Sequence, residues 1–145
     1  MTILGLPLHP LVVHAAVVLV PLAALGTLLV ALSARARKRY GSLVALGSVV
    51  AFGAVIAARV SGEDFAGTTT GSGALATHMY WGLLAPWPTA ALAVTSILLA
   101  LAGRGSNRRL ILVTGILAVV AALASLAVVV LVGHSGATAV WGQQT

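Results

Sequence analysis

The chain has 145 residues, 60% of them hydrophobic and 7% charged, with a formal net charge of +6 at pH 7. A soluble domain carries roughly 25% charged residues, so this composition excludes a water-facing globule and reads as an integral membrane protein. Four spans of about 20–23 residues leave room only for short loops and ends, which predicts one membrane domain and no soluble one. Cysteine is absent, which excludes disulfides, thiolate metal sites, iron–sulfur clusters and haem attachment through Cys-x-x-Cys-His.

Four apolar runs follow one another, at residues 8–32, 42–60, 78–102 and 110–132. The first is followed by a basic cluster, Arg35, Arg37, Lys38 and Arg39. The second leads into a Gly-, Ser- and Thr-rich stretch, 61–77, that holds both acids, Glu63 and Asp64. The third is followed by Arg104, Arg108 and Arg109, and the fourth by the tail 133–145. The positive charge therefore reads as a topology signal rather than a nucleic-acid surface. The positive-inside rule puts both basic loops in the cytoplasm and both termini outside, as expected for a multi-pass plasma-membrane protein. The first seven residues carry no positive side chain, which argues against a cleaved signal peptide.

In hydrocarbon every backbone group must be satisfied internally, so the runs are helices. Short connections make sequential helices antiparallel neighbours. The expected fold is all-α: a transmembrane up-down four-helix bundle with extracytoplasmic termini. Lipid gives no hydrophobic force between helices, so small residues must allow close approach; Gly53-x-x-x-Ala57 and Ala118-x-x-x-Ala122 have that spacing. Pro21 in the first span and Pro86 and Pro88 in the third each remove a backbone donor and predict bends. Trp87, well inside the third span, reads as packing.

Folding this topology sends all four histidines, His9, His14, His78 and His134, to the outer end. His14 lies five residues beyond His9, about 7–8 Å deeper and about 140° around the helix, so the two cannot share one face. Ionisable groups in a membrane mark candidate functional sites. His14, the deepest, has the best claim, and the other three also have plainer roles. His9 precedes Pro10 near the headgroups, and His78 sits beside Tyr80 and Trp81 in an aromatic belt. His134 can hydrogen-bond a carbonyl at a helix end. Arg59 reads as snorkelling outward to pair with Glu63 or Asp64.

Imidazoles from three helices suit a transition metal such as Zn, Cu or Fe, with His14, His78 and His134 as ligands and Glu63 as a fourth. The same histidines can supply two axial ligands for haem b. A third reading has no cofactor: His14 relays a proton or caps a polar network. These readings give a redox or metal-binding membrane protein, working beside a redox membrane complex or as a homo-oligomer. The competing class is a structural or interaction subunit without a cofactor, and a transporter is a third. Nothing in the chain supports nucleotide chemistry or a nucleic-acid partner; the lipid bilayer is the one partner the composition requires.

Gly133-His134-Ser135-Gly136 has the Gly-x-Ser-Gly form of rhomboid intramembrane proteases. Ser135 is expected to follow the last span instead of opening a buried helix, and four spans fall short of a rhomboid core. The ends of the chain show a different likeness. Gly5-Leu6-Pro7-Leu8-His9-Pro10-Leu11-Val12-Val13-His14 resembles the Gly-x-Pro-x-His-Pro-x-x-Val-His opening of a bacterial four-span family, a domain of unknown function numbered 2231 in its series. The segment from Val132-Gly133-His134-Ser135-Gly136 to Val140-Trp141-Gly142 resembles its closing segment. Ser61-Gly62-Glu63 and His78 fit weaker motifs between. The aromatic-Pro pair common in that family after the second histidine is replaced here by Ala15-Ala16. Members that look like fusions to, or neighbours of, cytochrome c domains imply respiratory redox chemistry by association only.

Overall fold

The computed structural model describes residues 2–3, 6–66 and 73–141, with side chains described for residues 11–63, 73 and 75–138. Two short strands, β1 (Thr2–Ile3) and β2 (Leu6–Pro7), pair antiparallel. Five helices follow: α1 (Leu8–Leu32), α2 (Ala34–Ala66), α3 (Gly73–Leu84), α4 (Pro86–Ala102) and α5 (Arg108–Trp141). Among the described residues four stretches are long and apolar enough to cross a membrane: Leu11–Leu32, Ala34–Glu63, Leu75–Ala102 and Arg108–Thr138. Apart from that short N-terminal pairing the protein is an all-helical membrane protein, with α3 and α4 sharing the third span.

The helices outrun the apolar runs, and the first basic cluster is helical rather than looped. Ser33 is the only residue between α1 and α2. Its hydroxyl accepts from the Ala36 amide at 3.2 Å, which is the N-cap bond that starts a helix. Arg35, Arg37, Lys38 and Arg39 thus ride on the first turns of α2. Asn107 does the same for α5, its side-chain oxygen accepting from the Leu110 amide at 3.1 Å.

The interior is built from small side chains. Ala24, Ala51, Ala118 and Ala122 are fully buried, with Val20, Leu92 and Leu99 filling the larger gaps. Large side chains face out instead, Leu22, Leu43 and Leu112 among them, as lipid-facing helices require. Of the two small-residue pairs, Ala118 and Ala122 lie at a helix contact. Gly53 and Ala57 face outward, and a Cβ on Gly53 would meet nothing within 4 Å. Trp87 is 73% exposed, so it does not pack inside the chain: Pro86 and Thr89 take the buried positions around it.

Buried hydroxyls join three helices. Thr27 on α1 and Ser96 on α4 share a hydrogen bond of 2.9 Å, and Ser48 on α2 donates to Ser96 at 3.2 Å. At the basic end the Arg37 guanidinium donates to the Val30 and Ala31 carbonyls at 2.9 and 3.1 Å, satisfying acceptors that the end of α1 leaves open. The Arg37 stem lies over Gly103, where a Cβ would come within 2.9 Å of Cγ.

The two proline-bearing spans differ: α1 runs unbroken through Pro21, whereas the third span is interrupted. Pro21 stays within α1, but it has no N–H for the Val17 carbonyl one turn earlier. Pro86 likewise cannot donate to Gly82, and the third span breaks at Ala85 between α3 and α4. Beyond the break α4 packs on both α2 and α5, whereas α3 packs chiefly on α5. A cleft opens where α3 departs from α2.

Candidate functional site

The cleft holds about 190 Å³ and is walled by Val13, Ala16 and Val17 of α1, Val55 and Ala58 of α2, Gly82 and Leu83 of α3, and Val129 and Val132 of α5. Its polar lining comes from Arg59, Glu63 and His78. Val17 and Gly82, the residues whose carbonyls lose a helical donor to proline, both face it. A Cβ on Gly82 would meet nothing within 4 Å.

His78 is half-buried on α3 and is tied to α5. Its Nδ1 lies 3.1 Å from the Val132 carbonyl oxygen and 3.3 Å from Ser135 Oγ. A carbonyl only accepts, so the bond to Val132 requires the proton on Nδ1 and leaves Nε2 as the lone-pair acceptor of the neutral ring. Ser135 is buried, and its hydroxyl donates to the same Val132 oxygen at 3.1 Å. The imidazole lies against Gly136, where a Cβ would stand 3.1 Å from Cε1 and 3.2 Å from Nδ1. Glycine at 136 lets the ring approach the α5 backbone this closely.

Arg59 and Glu63 are successive turns of α2, and Arg59 Nε donates to Glu63 Oε1 at 3.1 Å. This is the pair read from the sequence, half-exposed at the rim of the cleft. The side chain of Asp64, the other carboxylate considered, lies outside the described residues, as does that of His9.

The remaining candidates fall elsewhere. His14 is exposed on α1. It follows Val13, which lines the cleft, and the 100° step per residue turns it off that wall. His134 is exposed on α5 beside the buried Ser135. Among the described residues no three His, Asp or Glu side chains gather as a group that could hold a metal ion. Of His14, His78, His134 and Glu63, only His78 and Glu63 share the cleft.

Sequence reasoning passed over the residues that hold His78. Ser135 was expected beyond the last helix, but α5 continues to Trp141. The serine therefore lies inside a helix, facing α3. A histidine and a serine from different helices, 3.3 Å apart, have the outline of a nucleophile and its base. The chemistry runs the other way. A base must present a lone pair to the hydroxyl proton, whereas Nδ1 carries a proton toward Val132 and Ser135 spends its own on the same carbonyl. The pair positions the ring. The signal for this was present in the sequence, as a serine followed by the glycine that makes room for an aromatic ring.

The sequence profile of one family, described as "Predicted membrane protein (DUF2231)", matches residues 5–145. The chain belongs to that family. No curated protein and no solved structure matches it.

Proposed function

We propose that this family member sits in a bacterial plasma membrane with its basic end in the cytoplasm, and that its outer cleft binds a lipid-soluble molecule with a hydroxylated head, of the quinol class. The orientation rests on the seven basic residues gathered at one end against Arg59 alone near the other, following the positive-inside rule. The observation that carries the binding reading is the fixed tautomer of His78. Its Nδ1–H is committed to the Val132 carbonyl at 3.1 Å, so Nε2 accepts from a ligand O–H. The apolar walls suit the ligand's body, and the Arg59–Glu63 pair offers further polar contacts at the rim. A quinol would give the histidine site the redox association that the resemblance implies.

Haem b and a transition metal fit less well. A haem iron with two axial imidazoles needs them facing across a slot, and among the described residues His78 is the one histidine lining the cleft. Its volume of about 190 Å³ is below the roughly 300–1,000 Å³ of ordinary cofactor and drug pockets. It accommodates a ring with its tail running into lipid, not a macrocycle. Among the described residues, a metal at His78 would have Glu63 as its one other candidate ligand in the cleft.

Calorimetric titration of the protein in nanodiscs with decylubiquinol tests the reading. Saturable binding is expected. His78→Ala should weaken it on the order of tenfold, the worth of one hydrogen bond. Gly82→Leu, which grows a side chain into open space in the cleft, should abolish it. Equal titrations for all three proteins would refute the reading. That result would favour the alternative of an interaction subunit without a ligand, which co-purification in mild detergent would then show.

A further inference from the structure

The basic end carries a second feature, independent of the cleft and of any quinol. A groove of about 790 Å³ runs between the end of α1 and the first half of α5. Its walls include Leu32, Ile111, Leu112, Ile116, Val119 and Val120, and Arg37, Arg108 and Arg109 stand at its end. The lining residues of α5 run from Arg108 to Val120, a rise of about 18 Å at 1.5 Å per residue. One leaflet of the roughly 30 Å hydrocarbon core is about 15 Å deep. The groove thus matches one leaflet in length, is apolar along its depth and is cationic where the headgroups lie.

We propose that this groove is a docking site for an anionic phospholipid, with an acyl chain along α5 and its phosphate among Arg37, Arg108 and Arg109. Charge complementarity selects the occupant. The arginines come from the first turns of two helices, and Glu63, the one carboxylate whose side chain is described, lies at the opposite end of the bundle paired with Arg59. The anionic partner must come from outside the chain. Basic pockets between transmembrane helices bind anionic headgroups in this way. Arg37 is already anchored by the Val30 and Ala31 carbonyls, so its guanidinium is held in place before any lipid arrives. A soluble phosphate would use the arginines and leave the apolar walls unoccupied; a phospholipid uses both.

Native mass spectrometry of detergent-purified protein tests this, with palmitoyl-oleoyl phosphatidylglycerol and the phosphatidylcholine of the same chains as probes. Retention of phosphatidylglycerol should exceed that of phosphatidylcholine on the order of tenfold. Arg108→Gln with Arg109→Gln should remove the preference. Val120→Trp should cut retention of phosphatidylglycerol severalfold with every charge intact. All three sites are exposed, so these variants leave the core unchanged. Arg104→Gln is the control, because Arg104 lies at the same end but outside the groove, bonded to Ser42 at 3.0 Å; it should retain the preference. Equal retention of the two lipids, an Arg104→Gln loss as large as that of the double variant, or an unchanged Val120→Trp would each overturn the proposal.

Discussion

Replacing Gly136 with alanine should loosen the histidine end of the bundle, and the same change at Gly133 should not. Both glycines lie in α5, three residues apart, so the gain in helix propensity is similar, about 1 kcal/mol in each case. A Cβ at 133 meets nothing within 4 Å, whereas one at 136 stands 3.1 and 3.2 Å from the His78 ring. The ring must give by a few tenths of an ångström, which strains its bond to Val132 at 3.1 Å. Losing that bond costs about 0.5–1.5 kcal/mol and the overpacking about 1–3 kcal/mol. The two variants should therefore differ by about 1–3 kcal/mol from overpacking alone, and by up to about 4.5 kcal/mol where the bond is lost as well. Unfolding in mixed micelles of rising SDS fraction, followed by far-UV circular dichroism, measures the difference. His78→Ala removes the obstruction, so Gly136→Ala should cost little in that background. Coincident transitions for the two glycine variants, or an equal cost with and without His78, would refute the ring's placement on α5.

Three further outcomes follow from the packing. A double-mutant cycle on Thr27→Val and Ser96→Ala should show a coupling of about 0.6 kcal/mol, the usual worth of an interhelical hydrogen bond in a membrane, in the same SDS titration; additive effects would contradict the bond at 2.9 Å. Gly103→Ala would put a Cβ 2.9 Å from Arg37 Cγ and should destabilise by about 1–3 kcal/mol, with most of that cost absent in an Arg37→Ala background. Trp87 is 73% exposed, so in a Trp81→Phe, Trp141→Phe variant its fluorescence should be quenched by brominated phosphatidylcholine; unquenched emission would place it in a protein interface.

The coarse fold was legible because the bilayer leaves few choices. Sixty per cent hydrophobic residues in unbroken runs between the basic clusters give four helices, since a run of that length spans lipid as a helix, not as a barrel strand. Pro86 marked the break in the third span for the same reason. Rotation about each helix axis was not legible. In water an amphipathic pattern shows which face turns inward, but here Leu and Val cover lipid-facing and buried positions alike. Gly53 and Ala57 therefore looked as good a contact as Ala118 and Ala122, yet point outward. The histidines suffer the same ambiguity. Chain direction gathers them at one end, but only packing decides that His78 turns to α5 while His14 and His134 are exposed. Helix ends were misread because apolarity stops at Val132 while backbone hydrogen bonding does not. That extension carries Ser135 and Gly136 onto the helix that holds His78.

The two ends of the bundle use the same device. At each, a long polar side chain from one helix lies over a glycine of another and donates to a backbone carbonyl. Arg37 covers Gly103 and bonds the end of α1; His78 covers Gly136 and bonds α5. Between them the Thr27–Ser96–Ser48 hydroxyls tie α1, α4 and α2. Lipid gives helices no hydrophobic reason to associate, so these bonds and the small residues beside them set the packing. The two devices differ in what they leave over. A guanidinium has only donors, and after capping α1 it still has N–H groups to give. An imidazole that has given Nδ1–H to a carbonyl keeps an acceptor at Nε2. The same structural solution therefore leaves opposite chemistry at the two ends: one suited to a phosphate, the other to a hydroxyl.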